Sequence, residues 1–382
     1  MTIQKNFKLS MAAIAASLLV AACGGGGGGS TSAGTAAPAS SPDAGSSPAG
    51  TPSGASTPTG TTPSTGVAPA TTVPAATYDG SSFQAAAFAL VNNYRASMGV
   101  GTLKQDPVLD TAAQAHALYL FSNLKARTIP TLDHNEIAGN LNYYADTPLA
   151  RAQKAGAPTT EYIGESIAAN VSQLTTAAAA ADCIGQNLAS VYHLAGLTFT
   201  QETVGIGYMP GDSTWAQYTC SLEYGTLTGV SGAPLANANS YSGGQQIATN
   251  AVVHSPFTNE AGVRTAMVPE APNPASDLTA PGRPIMVRVN AENRDTLSVS
   301  QFTLTDAAGT QVAARILVPA SAQASSTATT VADPNNALPN GTAILLPLSP
   351  LRANTTYTVT FNGARDGVAL PATTWSFTTA AQ

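Results

Sequence analysis

The sequence predicts a layered α/β domain followed by an all-β sandwich, carried behind an export signal and a long stretch unable to fold. Three observations predict this. Helical periodicity opens the foldable part, and two strands close its first half. From about Ile247 that periodicity stops, and short strands punctuated by Gly, Pro, Asn and Asp take over. Before both lies a stretch of Gly, Ser, Thr, Pro and Ala almost free of charge and aromatic residues.

Lys5 and Lys8 form a positive start, and the uncharged run from Met11 to Ala22 is too short to span a membrane comfortably. This is the pattern of a secretory signal over residues 1–23. It ends in Leu19-Val20-Ala21-Ala22-Cys23, which resembles a bacterial lipobox. Lipidation of Cys23, palmitate included, would give that residue a role, because several acyl chains anchor stably. A signal peptide with a chance Cys is the alternative. The resemblance implies a lipid-anchored protein of the cell envelope, at the outer membrane if the cell is Gram-negative. Residues 24–77 read as a disordered stalk, since such a composition buries too little apolar area to offset chain entropy.

About 300 residues remain, enough for two domains. The net charge is −6 and 9% of residues are charged, with no Lys/Arg stripe, so nucleic acid is not an expected partner. In the first domain, 78–232, Ser81 or Ser82 can cap a helix whose apolar residues Phe83, Ala87, Leu90, Val91 and Tyr94 recur at helical spacing, and Gly99 ends it. Asp106-Pro107 starts a second helix. An Ala-rich third runs from about Thr175 to Ala189, and strands follow at Thr203–Tyr208 and Thr214–Tyr224. Alternation in the last strand puts Tyr218, Cys220, Leu222 and Tyr224 on one face. Without Cys23, the cysteines left are Cys183 and Cys220. In an exported chain such a pair reads as one disulfide, with two buried thiols as the alternative.

The stretch Leu90-Val91-Asn92-Asn93-Tyr94-Arg95, then Gly99, Leu103 and Asp106-Pro107-Val108-Leu109, resembles the opening of the CAP superfamily in its bacterial branch. The acronym covers cysteine-rich secretory proteins, antigen 5 and pathogenesis-related 1. The order continues through Ala112–His116, Leu132-Asp133-His134, Gly164-Glu165-Ser166-Ile167-Ala168, Ser190-Val191-Tyr192-His193 and Val204-Gly205-Ile206-Gly207. Each motif is short; their order over about 150 residues carries the resemblance.

The resemblance implies an α-β-α sandwich with a central cleft lined by His134, Glu165 and His193. It also implies a divalent metal such as zinc on His134 and His193, as in some family members. Two imidazoles and a carboxylate are suitable ligands for a first-row metal and leave a position for water. Glu165 is then the candidate base of a hydrolase. A second family glutamate has no clear counterpart; Asp182 and Gln186 lie in the right helix, but neither is a convincing substitute. This missing carboxylate favours binding of a lipid or cell-envelope ligand over metal-dependent hydrolysis. A purely structural or adhesive protein with a vestigial cleft is the third reading. His116 reads as a packed histidine, and Ser166 as no nucleophile, because the sequence around it lacks the closing Gly of a nucleophile elbow.

A linker rich in Gly, Ser and Asn, 233–245, leads to the second domain, 246–382. Candidate strands are Ile285–Val289, Leu297–Leu304, Gln311–Val318, Ala343–Pro347, Thr356–Phe361 and Thr374–Thr379. Pro350-Leu351, Asn354-Thr355-Thr356-Tyr357 and Trp375-Ser376-Phe377 resemble bacterial Ig-like domains, which implies a spacer or partner-binding module with Tyr357 and Trp375 as core anchors.

Overall fold

The computed structural model describes residues 66–171, 174–234, 243–290 and 295–381. The signal segment, Cys23, most of the stalk and the middle of the linker lie outside the described residues.

Helix α1, Phe83–Met98, starts on Ser82, whose hydroxyl accepts from Ala85 N–H, and stops at Gly99 in the left-handed conformation. The two-residue strand β1, Lys104–Gln105, leads into α2, Pro107–Ala126. There Asp106 caps through its carboxylate and Pro107 occupies the first turn, as the sequence indicated. Next come α3, Pro148–Ala155, and β2, Tyr162–Val171. Helices α4, Thr176–Leu188, and α5, Val191–Leu197, precede β3, Thr203–Met209, and β4, Gln217–Thr226.

The sheet order is β1-β3-β4-β2, with β1 parallel to β3 and the other pairs antiparallel. Helices cover both faces. Tyr218, Cys220, Leu222 and Tyr224 share a core with Phe83, Val91, Ala180 and Cys183. That shared face brings Cys183 and Cys220 together in a disulfide. On the other face α2 lies directly on β3. A Cβ at Gly205 would fall 2.0 Å from the Leu109 backbone, and one at Gly207 2.1 Å from the Ala113 backbone, so both positions need glycine.

Three features differ from the sequence reading. Gly164–Ala168 sits inside β2, where no strand was expected, because Tyr162–Val171 mixes small, polar and apolar residues rather than alternating cleanly. Helices α3 and α5 are too short for the periodicity to show. The end of the assigned stalk lies along the domain: Val67 pairs with Gln245, and Ala70 exchanges hydrogen bonds with Thr102 and Gln245.

The β-rich half contains β5, Val252–Ser255; β6, Ile285–Val289; β7, Leu297–Asp306; and β8, Ala314–Val318. A one-turn α6, Ala320–Gln323, precedes β9, Thr330–Ala332, and β10, Thr342–Pro347. The remaining strands are β11, Thr356–Arg365; β12, Val368–Ala369; and β13, Thr373–Thr378. One sheet runs β5-β6-β10-β8-β9; in the other, β11 pairs with β7, β12 and β13. Both sheets share a core that includes Val287, Phe302, Leu345, Tyr357, Phe361 and Trp375.

The first of these sheets is buried on both faces. Met286, Leu317, Ile344 and Leu346 turn away from the sandwich core and join Tyr94 and Met98 of α1 and Val191, Leu194 and Ala195 of α5. Strands β6 and β10 are buried at every position, which is why their sequences are mostly apolar, Arg288 and Thr342 apart, rather than alternating. The α/β and β-rich halves therefore share one apolar seam within a single compact unit.

Candidate functional site

A cleft of about 510 Å³ opens along this seam, and His134, Glu165 and His193 all line it. Glu165 comes from β2, the edge strand of its sheet, His193 from α5, and His134 from the loop between α2 and α3. The His134 ring donates from Nδ1 to Glu165 Oε2 at 2.7 Å. The two imidazole centroids stand 5.7 Å apart.

Behind the cleft wall lies a buried charge network. Glu165 and Glu223 are direct cross-strand partners on β2 and β4, so their carboxyls meet on the α2–α3 face. Arg151, from α3 and 0% exposed, reaches Glu165 at 2.5 Å, Glu223 at 3.3 Å and Glu136 at 3.9 Å. It also donates to the carbonyl of His134 at 3.0 Å, fixing the loop that carries that ring. His116 is buried, as expected, but its surroundings are polar: its ring nitrogens face Glu136 and the Asp133 carbonyl, and Glu165 lies 3.7 Å away.

Burial pushes the Glu165 carboxyl up. Arg151, His116 and the hydrogen bond from His134 outweigh burial and hold it well below the usual carboxylate range. For Glu223 burial and the neighbouring Glu165 charge win over Arg151, and its carboxyl is pushed well up. Glu165 is thus ionised and 1% exposed, with Arg151 and Ser221 on one oxygen and His134 on the other. A general base working near neutrality needs a proton affinity matched to that pH and an oxygen within reach of substrate. Glu165 lines the cleft, but it is ionised and both its oxygens are already engaged, so it would act as a base only by exchanging one of these partners for substrate. Ser166 lies on the opposite strand face and is 1% exposed.

The carboxylate nearest His193 was not legible in the sequence. Glu270, from the segment between β5 and β6, approaches His193 Nδ1 at 3.1 Å and is 1% exposed. Asp182, by contrast, is engaged by Tyr218, Asn170, Gln186 and Arg264 and does not line the cleft. The β-rich half also supplies the wall from Asn335 to Ala337. Asp333 holds that wall by accepting from the backbone of Asn335, Ala337 and Leu338, and Tyr192 of α5 donates its hydroxyl to the same carboxylate.

The donor set does not fit a catalytic zinc ion. Such sites use three protein ligands, whereas Glu165 is spent on Arg151 and His134 and Glu270 on its own partners. The Nε2 atoms of His134 and His193 remain, with the exposed Asp133 also in the lining, and no group of three or more His, Cys, Asp or Glu converges among the described residues.

The α/β half thus has helices on both sheet faces, one disulfide and a cleft carrying paired His–carboxylate contacts. Residues 88–224, within the α/β half, match the family model described as CAP: Cysteine-rich secretory protein family. No curated protein and no solved structure matches the chain. Among the described residues no helix is long and apolar enough to cross a membrane.

Proposed function

We propose that the protein is a binding protein tethered to the cell envelope through lipidated Cys23, and that its CAP cleft holds a lipid or other envelope-derived small molecule. The cleft itself carries this reading. At about 510 Å³ it has the size of small-molecule sites, and its lining mixes apolar Ile163, Ala195, Phe199 and Pro272 with the polar groups of His134, His193 and Asn335. The Cys183–Cys220 disulfide agrees with an exported chain. The β-rich half, whose sequence resembles Ig-like domains, would help form and present the site.

Metal-dependent hydrolysis is the weaker reading, because Glu165 and Glu270 are buried on existing partners and no group of three or more His, Cys, Asp or Glu converges among the described residues. The test is native mass spectrometry of the full chain released gently from its own membranes, beside the His134→Ala/His193→Ala variant. The wild type should carry a co-purifying small molecule that the variant lacks. Identical ligand-free masses would sink the binding reading. Release of a Cys23→Ser variant from the membrane fraction tests the anchor, and retention would overturn it.

A further inference from the structure

We propose that Glu270 is the positioning residue that completes the cleft, so that the site presents two imidazole acceptors side by side and selects a hydroxyl- or ammonium-bearing ligand over an anionic one. The ligand class rests on the binding reading above; the positioning role does not.

The start of α5 carries the argument. A helix leaves its first N–H groups without intrahelical partners. The residue before α5, Ser190, makes no side-chain cap; its hydroxyl lies within donating distance of the carbonyls of Gln186 and Val268, with one proton to give. Glu270 takes over that task from the other half of the molecule. Its Oε1 accepts from Val191 N–H at 2.5 Å and Tyr192 N–H at 3.1 Å, and its Oε2 accepts from Tyr192 N–H at 3.0 Å and His193 N–H at 3.3 Å. A negative group is favoured at this end of a helix.

Both carboxylate oxygens are therefore acceptors, and the His193 ring must donate from Nδ1 to pair with Oε2. In the neutral ring this leaves Nε2 as a bare acceptor. His134 is fixed the same way by Glu165. Two buried carboxylates, one from each half, thus hold two rings 5.7 Å apart in the same tautomer, as second-shell carboxylates do for histidines elsewhere. The family match ends at residue 224, so Glu270 lies outside it.

The rest of the lining sets the charge preference. Asp133, Glu165 and Glu270 line the cleft, and no Lys or Arg does among the described residues. Arg151 stands behind Glu165, fully buried and already bound to it. An anion entering would meet acceptors without a cation to pair with. A hydroxyl or ammonium would meet two acceptors.

The chain has four histidines, so ring ¹⁵N spectra of the full-length protein are simple to assign. At pH 8, without ligand, His134 and His193 should both carry the proton on Nδ1. In Glu270→Gln the amide oxygen must face the helix N–H groups, which turns the NH₂ toward the ring. The His193 tautomer should then invert to Nε2–H while His134 and the helix content stay unchanged. An unchanged His193 tautomer overturns the positioning role. Glucosamine and glucose 6-phosphate then serve as matched probes. Glucosamine should shift the His134 and His193 signals of the wild type, bind at least about fivefold more weakly to Glu270→Gln, and outcompete the phosphate sugar. Preference for glucose 6-phosphate, or no response to glucosamine, overturns the ligand class. Because the tautomer is read without ligand, an inverted tautomer beside a ligand-free native mass spectrum would fail the binding reading alone.

Discussion

Replacing Arg151 by Met tests how the cleft is held from behind. The side chain is fully buried, donates to Glu165 at 2.5 Å and to the His134 carbonyl at 3.0 Å, and stands between three carboxyls. Methionine fills much of the volume but leaves Glu165 ionised without its main partner. Breaking a buried pair in this way costs about 3–5 kcal/mol near neutral pH. The pH dependence separates charge from packing. Glu165 has a depressed folded value, so its contribution is present above the unfolded carboxylate value of about 4.3 and is lost as pH falls toward the folded one. Without Arg151, burial becomes the dominant influence and raises that carboxyl, so protonation relieves the variant. Urea unfolding should therefore show the full loss at pH 7 and a loss smaller by about 2 kcal/mol at pH 4. A loss below about 1 kcal/mol at pH 7, or an equal loss at both, would refute the electrostatic account.

Three further outcomes are expected. Removing the Cys183–Cys220 disulfide, which closes a separation of 37 residues, should lower stability by up to about 4 kcal/mol on loop-closure grounds; an unchanged melting point in the double Ser variant would remove the idea. Burial, with Asp106 and Glu202 nearby, pushes the Glu161 carboxyl up to about 7, so the folded state keeps a proton that the unfolded chain sheds above about 4.3. Stability should thus fall as pH rises from there to about 7, and Glu161→Gln should gain about 2–3 kcal/mol at pH 8 and little at pH 4; no pH dependence of the gain would contradict this. Zinc calorimetry on the full chain should show no stoichiometric micromolar binding, because two imidazoles are one ligand short; tight binding lost in His134→Ala/His193→Ala would reverse that conclusion.

The elements that local rules govern were legible in the sequence. Ser82, Gly99 and Asp106-Pro107 mark helix ends by capping chemistry that acts within a few residues. Alternation placed Cys220 on the face where it meets Cys183. Half of the cleft was legible too, because the ordered motifs carrying His134, Glu165 and His193 lead to residues that do line it. Glu270 was not, since it sits in a segment without periodicity and meets His193 across 77 residues of chain. Arg151 and Glu223 escaped for the same reason: the contacts that keep them buried are tertiary. One signal for the seam did exist. The run Ala343–Pro347, and Ile285–Val289 interrupted only by Arg288, do not alternate and so imply strands buried on both faces, whereas a sandwich standing alone would cover only one.

The central claim is that the cleft belongs to an α/β half and a β-rich half folded as one unit. Scanning calorimetry of the full chain tests it most directly. The shared seam, the Glu270 cap on α5 and the tie from Tyr192 to Asp333 predict one transition with equal calorimetric and van't Hoff enthalpies. Two separable transitions, with Glu270→Ala leaving the β-rich one in place, would contradict it.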